Sequence, residues 1–351
     1  MKTGKSKKVV VAMSGGVDSS VSATLLKQAG FDVVGVMMKF WKEGVDGKNR
    51  CCSVESEKLA RLVAKEIGMP FYVINVEKEF KKKVVDYFIK EYKAGNTPNP
   101  CVVCNKEIKF GLLIEKALKM GVDFIATGHY ARIEKGMLMK GRDKEKDQSY
   151  FLWQLNQKQL SKVLFPVGGY TKPEVRKLAK EFNLPTAETP ESQEVCFINN
   201  STNDFLKKYL KIKPGKIIDK TGKVLGAHHG LWFYTIGQRK NLEIPQGPWF
   251  VVEKNFKKNI LVVSKNKKDL LKKELIAKNI NWTCPPKFSA KQKFWRVEAK
   301  IRYKSRLARA KLIKSGTAVK VVFDKPQQAI TPGQSVVFYK GKELLGGGVI
   351  K

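Results

Sequence analysis

The chain is short of acid, of histidine and of cysteine. Asp and Glu number 32 among 351 residues, against 68 Lys and Arg, so the formal charge is +36 at pH 7. An enzyme confined to small neutral metabolites has no need of that excess. A polyanion does account for it, either nucleic acid or an anionic membrane surface. The three histidines, His129, His228 and His229, lack zinc-finger spacing, and Cys101-Val102-Val103-Cys104 has no second CxxC to complete a zinc ribbon. Six unevenly spaced cysteines do not make a disulfide framework. No run of about 18 apolar residues is present, which excludes a membrane-spanning helix. The basic start MKTGKSKK runs straight into VVVAM and is then broken by Ser14-Gly15-Gly16, too short for a signal-peptide core. A cytosolic location is the expectation.

What is there is ordinary globular composition, 42% hydrophobic and 28% charged, over a length that suggests two or three domains. Strand and helix patterns alternate in the first half. Lys8–Met13, Val33–Met38, Phe71–Val76 and Asp123–Thr127 read as buried strands; Asp18–Gln28 and Val54–Ile67 read as helices. Continuous apolar strands alternating with helices predict a parallel sheet covered on both faces. Thr171-Lys172-Pro173-Glu174 is a capping box opening a helix to about Phe182. Beyond about residue 200 the texture turns lysine-rich, then dense in rings and glycine (HHGLWFYTIGQRKNL). Short alternating strands follow at Trp295–Ile301, Ala308–Ile313, Ala318–Phe323 and Ser335–Tyr339, which predict a small antiparallel barrel. The expected domains are 1–200, 201–277 and 278–351.

Ser14-Gly15-Gly16-Val17-Asp18-Ser19-Ser20 lies between the first strand and the first helix. Two glycines let backbone N–H groups approach an oxyanion, and the helix N-terminus behind them adds unpaired donors and a positive dipole end. No Gly-Lys-Ser/Thr ending follows, so this is not the common NTPase loop. A plain strand-to-helix turn would need only SGG. AMSGGVDSS resembles the signature of the PP-loop ATP pyrophosphatases, enzymes that transfer AMP from ATP to an oxygen and release pyrophosphate.

Further motifs narrow the resemblance. TPNPCVVCNKEIKF, ATGHYAR, KDQSYFL, ESQEVCFI, GQRKNL, KIRYKS and TPGQ follow in order, and together they closely resemble the bacterial tRNA 2-thiouridylase family over nearly the whole chain. The resemblance implies an α/β fold: a parallel-sheet PP-loop catalytic domain of the adenine nucleotide alpha hydrolase type, a small central domain and a C-terminal antiparallel β-barrel. It implies ATP contacts at Ala12, Met13, Ser14, Gly15, Gly16, Val17, Asp18, Ser19, Met38 and Gly128, with Mg²⁺ as companion. Cys104 matches the family's nucleophilic cysteine and Cys196 its persulfide carrier, the two ending each turnover as a disulfide. Asn99, Pro100 and Cys101 match the stretch facing the target base. His129, Lys146, Asp147, Gln148, Arg302, Tyr303 and Gln334 match positions touching tRNA. The implied partners are tRNA, through its anticodon stem-loop and wobble uridine, and a sulfur donor such as a cysteine desulfurase or sulfur relay protein. No membrane is implied, and the expected state is a monomer.

Two positions depart from the family pattern. Cys101 stands where many members carry Asp, and Cys101, Cys104 and Cys196 make a three-thiolate set that could ligate a [4Fe–4S] cluster. Asn241 stands where Gly usually follows GQRK, and Asn tolerates a left-handed backbone. Cys51, Cys52 and Cys284 read as packed small hydrophobes. The rings of 227–242 read as a small core rather than a base platform, while Arg239 and Lys240 fit either phosphate contact or solvent. Arg296, Arg302, Lys304, Arg306 and Arg309 alternate with apolar residues, giving one cationic or merely solvated barrel face. The lysines are spread along the chain, as a broad basic surface or a lysine-biased genome would each produce. Two other readings compete. A PP-loop enzyme adenylating a small metabolite leaves the cysteines and the charge unexplained. A non-catalytic RNA-binding protein leaves the intact loop unexplained.

Overall fold

A computed structural model describes residues 6–43, 49, 52–190, 195–285 and 293–351; Cys51 lies outside them. The first seven strands are β1 Lys8–Met13, β2 Asp32–Lys39, β3 Phe71–Asn75, β4 Phe124–Ala126, β5 Ala131–Glu134, β6 Met137–Lys140 and β7 Val163–Leu164. Five of these form one parallel sheet in the order β3-β2-β1-β4-β7. Strand alternation explains why both faces are covered. Val9, Val11 and Met13 enter one core with helices α1 Val17–Gln28, α2 Val54–Glu66 and the helix Lys172–Glu181. Val10, Val36 and Met38 enter the other, against the helical runs 77–93 and 100–119. The chain winds one way from β1 to β3 and then returns past β1 to β4. A topological switch point therefore lies between the carboxyl ends of β1 and β4, where sheets of this kind bind ligands.

The central segment folds into a four-stranded sheet, β8 Gly215–Asp219, β9 Val224–His228, β10 Phe250–Asn255 and β11 Ile260–Ser264, in the order β10-β11-β8-β9. The ring-rich patch forms its core: Leu231, Phe233, Tyr234 and Trp249 are buried. Asn241 adopts φ +58, the left-handed backbone expected of its turn.

Six strands close the C-terminal barrel: β12 Leu271–Trp282, β13 Trp295–Lys300, β14 Ala308–Ser315, β15 Ala318–Gln328, β16 Ser335–Lys340 and β17 Glu343–Ile350, with β12 pairing β17 to seal it. β12 runs across the expected 277/278 boundary. The hairpin β5–β6, sequentially part of the first domain, does not join the parallel sheet; it extends the barrel sheet through β6 beside β17. Glycine makes that seam possible. A Cβ on Gly347 would sit 2.8 Å from the Trp153 ring, and one on Gly346 would sit 2.2 Å from the Asn281 carbonyl. Buried Trp153 donates to Ser335 Oγ (3.0 Å), and Tyr150 donates to the Ser335 carbonyl (2.9 Å). Among the described residues no helix is long and apolar enough to cross a membrane.

Candidate functional site: a nucleotide crevice beside a clamped cysteine loop

β1 ends at Met13, and 14–16 turn sharply into α1 with Gly16 as N-cap. Gly15 needs its φ of +71, and a Cβ there would land 2.2 Å from the Ser56 carbonyl at the start of α2. Gly128, just beyond β4, presses on the other side; its Cβ would lie 2.8 Å from Ser19 N. These contacts hold the first turn of α1, with its unpaired N–H donors, across the switch point. Ser14 and Ser19 face each other, Oγ to Oγ, at 3.3 Å. Ala12 and Met13 close β1, Val17 is buried at the start of α1, and buried Met38 follows the Met13–Met37 register pair on β2. The residues expected to contact ATP thus gather at the carboxyl ends of β1, β2 and β4 and the start of α1.

Asp18 is the loop's carboxylate. Lys172 Nζ reaches both its oxygens, at 2.7 and 2.8 Å, and the Tyr130 hydroxyl donates to Oδ1 at 2.7 Å. Lys172 is buried at the first turn of its capping-box helix, where Glu174 accepts from the Thr171 N–H at 2.7 Å. The capping box was legible in the sequence; that its second residue aims a cation at the loop was not.

Cys104 is buried and Cys101 exposed, on the helical turn Pro100–Cys104 that Asn99 caps by accepting from Val102 N–H (3.4 Å). Cys196 is half-buried, and the adjacent Phe197 is fully packed. A relay of rings ties that segment to the sheet edge: Phe40 at the end of β2 meets Phe80 (4.8 Å), and Phe80 meets Phe197 (5.8 Å). On the Cys104 side, Phe110 of the same helical run meets His129 (5.7 Å), which follows Gly128. Ring contacts thus link the Phe197 segment to the end of β2 and the helical run after Cys104 to the residue that follows Gly128. Among the described residues no three His, Cys, Asp or Glu side chains converge to hold a metal ion, so Cys101, Cys104 and Cys196 form no ready ligand set. Cys52 packs as expected, accepting from Phe40 N–H at 3.2 Å, and Cys284 is half-buried.

The loop 95–100 is held from all three domains. From the barrel, Gln334 Nε2 donates to the Thr97 carbonyl (2.8 Å) and Thr97 N–H to the Pro332 carbonyl (2.8 Å). Gly333, at φ +89, fits where a Cβ would lie 2.7 Å from Asn96 Cβ. From the central domain, Thr235 Oγ1 meets Thr97 Oγ1 at 3.2 Å, and Lys254 Nζ donates to the Gly95 (2.6 Å) and Tyr234 (2.9 Å) carbonyls. Burial pushes the Lys254 ammonium down to about 8. From the first domain, Asn96 donates to Glu91 at 2.8 Å. Sequence reading missed Lys172, Tyr130, Thr235 and Lys254, because only the fold aims them.

The remaining residues expected at tRNA divide by what their side chains touch. Arg302 is exposed, and the Tyr303 ring lies tilted against Phe151 at 4.6 Å. Lys146 is half-buried on the same loop as Asp147 and Gln148. Asp147 is buried and accepts from Gly141 N–H (3.0 Å) and from Ser149 N–H and Oγ (both 3.1 Å). Gln148 accepts from Tyr130 N–H (3.0 Å). With Gln334, these two hold the protein's own backbone. His129 Nδ1 pairs with the Thr127 hydroxyl at 2.7 Å, between Phe110 and Phe165. Burial, then nearby Lys109, holds its imidazole well below its usual range, so it is neutral near pH 7.

Three family models match the chain in succession: a tRNA methyl transferase HUP domain over residues 7–200, a tRNA methyl transferase PRC-barrel domain over 203–265 and an aminomethyltransferase beta-barrel domain over 272–350. The chain is 47% identical over 358 residues to the tRNA-specific 2-thiouridylase MnmA of Clostridioides difficile (strain 630), covering 98% of each protein. It is also 47% identical over 364 residues to that of Carboxydothermus hydrogenoformans, again covering 98% of each. Among solved structures, the U34-tRNA thiolase NcsA from Methanococcus maripaludis with its [4Fe-4S] cluster aligns at 21% identity and TM-score 0.35, over 54% of this chain and 60% of that one. That last likeness is too loose to bear on the site. On the strength of the full-length relatives and the matched domains, the chain belongs to the tRNA-specific 2-thiouridylase family.

Proposed function

We propose that this protein is a sulfurtransferase that uses ATP to replace the 2-oxygen of the wobble uridine in tRNA with sulfur. The observation that carries this reading is the clamp. The loop leading to Cys101 and Cys104 is fixed by side chains and backbone from all three domains. A small-metabolite adenylating enzyme has no use for that construction. Opening the wobble base costs little, since it is already single-stranded.

In the first step the uridine 2-oxygen attacks the α-phosphorus of ATP and pyrophosphate leaves. The Gly15–Ser19 amides and the α1 N-terminus receive the charge developing on the phosphates. Both Asp18 oxygens are held by Lys172 and one also by Tyr130, so a Mg²⁺ brought in with ATP would draw its ligands from phosphate and water and would add electrostatic stabilisation to the phosphates. Lys172 balances the Asp18 charge at the crevice wall. In the second step the terminal sulfur of a Cys196 persulfide attacks C2, which expels AMP. The Cys104 thiolate then attacks the inner sulfur of Cys196, so the transferred atom stays on the base and a Cys104–Cys196 disulfide forms. Alternatively Cys104 attacks first and releases hydrosulfide, which attacks C2. Either route consumes one persulfide, loaded by a sulfur-donor protein, and needs a thiol reductant before the next turnover. The role of Cys101, next to the target base in this reading, is to line the pocket entrance beside Asn99 and Pro100. Lys146, Arg302 and Tyr303 contact tRNA, and neutral His129 offers it a ring rather than a charge. Asp147, Gln148 and Gln334 act by fixing the loops that do so. The protein works as a monomer on one tRNA in the cytosol.

A thiolation assay tests the reading. Unmodified tRNA, ATP and a sulfide source are incubated with the enzyme, and thiolated tRNA is read by its retardation on a mercury-containing gel. Wild type should shift the tRNA. With a persulfide donor, Cys104→Ser and Cys196→Ser should each lose about 10³-fold or more in rate, as nucleophile deletions do. Full thiolation by Cys196→Ser with the persulfide donor would remove Cys196 from the relay, and no thiolation by wild type together with pyrophosphate release in the absence of tRNA would favour a small-metabolite enzyme instead.

A further inference from the structure

Away from the nucleotide loop, a cavity of about 640 Å³ opens at the joint between the first domain and the barrel. That volume lies within the range of ligand sites. Six cations line it: Arg132 and Lys140 from the β5–β6 hairpin, Arg142 and Lys144 from the loop after it, Lys300 at the end of β13, and Lys342 in the β16–β17 turn. Leu307 and Tyr339 supply an apolar side, and Asp147 is the one carboxylate of the lining. Its two oxygens already accept three hydrogen bonds from its own loop, so it is committed to structure.

The other carboxylates nearby do not neutralise the cleft. Arg132 pairs with Glu134 and Arg142 with Glu174, and neither glutamate lines the cavity. Glu298 faces Lys140 and Glu145 faces Lys300, yet burial outweighs them and both ammonium groups titrate below their usual range. Lys140 is spent on the Gly341 carbonyl (2.8 Å) and the Tyr339 ring (4.6 Å). Lys144 and Lys342 are exposed and make no ion pair among the described residues. A cleft that gathers and partly desolvates like charges is stabilised by a ligand carrying several negative charges.

We propose that this cleft seats sugar–phosphate backbone of the substrate RNA, at a point away from the target base. The lining is rich in cations and offers few groups suited to reading base edges, which is the chemistry of positioning rather than sequence readout. The cleft also adjoins the segments 146–148 and 302–303, so backbone lying in it would run on toward them. Because its walls come from two domains, bound phosphate would cross-link hairpin and barrel. This inference rests on the tRNA reading above and adds a place and a class of contact to it.

The test is the salt dependence of tRNA binding by the full-length protein, measured by filter binding between about 50 and 200 mM salt, where counterion release is read as a slope. Lys144→Ala/Lys342→Ala should lower the slope of log affinity against log salt by about 2 and weaken binding about tenfold at 100 mM. Lys65→Ala, at the far end of α2, should leave both as in wild type. Tripolyphosphate binding, measured on the same proteins, separates the sources of phosphate. If the double variant loses tripolyphosphate but binds tRNA with an unchanged slope, the cleft is a small-anion site and the proposal falls. If neither ligand notices the double variant, it also falls. Wild-type thiolation of the same tRNA is run alongside. Active wild type with a slope-neutral double variant overturns only this inference, whereas inactive wild type overturns the function itself.

Discussion

The nucleotide crevice and the cysteine loop are built in different ways. The crevice is local: Ser14 to Ser20 form one turn, and its close neighbours Ser56, Gly128 and Lys172 all come from the same domain. The cysteine loop is not: Thr97 bonds to Pro332, Gln334 and Thr235, and Gly95 bonds to Lys254. A phosphate needs only amides and a dipole, which one strand-turn-helix supplies. Presenting a thiol to a particular base of a folded RNA needs the loop fixed relative to surfaces that grip the rest of that RNA. The contrast predicts that damage to the crevice should abolish nucleotide chemistry while sparing RNA binding, and that damage to the clamp should impair sulfur transfer while sparing ATP affinity.

The sharpest break is Gly15→Ala, which places a methyl group 2.2 Å from the Ser56 carbonyl at a left-handed φ. ATP-dependent pyrophosphate release should fall about 10³-fold while tRNA affinity holds, since misplacing the reacting groups by about 1 Å costs about 10²-fold and the donors shift as well. Gly333→Ala should act on the other side. Its Cβ meets Asn96 and Thr97, so thiolation at saturating tRNA should fall about 10²-fold with ATP affinity unchanged, as expected of a positioning defect. Kinetics that move kcat and ATP affinity together would erase the distinction between the two regions.

Lys254 gives the contrast a pH axis. Its ammonium titrates at about 8 in the fold against 10.5 when exposed. Between those values the unfolded chain holds the proton and the folded one does not, so stability rises with pH across that window. Below about 8 the cost of the buried charge is present in full. The unfolding free energy of wild type minus that of Lys254→Met should therefore climb by about 2–3 kcal/mol from pH 8 to 10.5. A flat difference in denaturant titrations would remove Lys254 from the clamp. The smallest effect is expected at Lys172→Met, which strands the Asp18 carboxylate. With the Asp18 side chain 30% exposed, water offsets part of the loss, and destabilisation of about 1–2 kcal/mol is expected from melting curves, below the cost of breaking a fully buried pair.

Legibility in the sequence follows the same division. The parallel strands and flanking helices were readable because each carries its own periodicity, and the loop because its glycines and serines are contiguous. Four barrel strands were readable for the same reason. β12 and β17 were not: Lys272–Glu274 is charged where it meets β15, and Gly346-Gly347-Gly348 reads as a turn until Trp153 is found pressed against it. The β5–β6 hairpin was missed because its partner strand lies about two hundred positions away. Asp147, Gln148 and Gln334 were placed at tRNA by motif alone; their distances show them occupied by the protein's own backbone, a fact no spacing rule encodes.

The bond between Gln334 and Thr97 spans 237 positions of chain. During synthesis the nucleotide turn can fold while the residues that fasten the cysteine loop have yet to be translated. From Lys172, the last of the crevice contacts, to Gln334 is 334 − 172 = 162 positions, roughly 8–32 s at about 5–20 residues per second. A nascent chain would pass through a stage able to hold nucleotide but with its thiol-bearing loop unsecured, so maturation of this enzyme on the ribosome should end with sulfur transfer as the last competence gained.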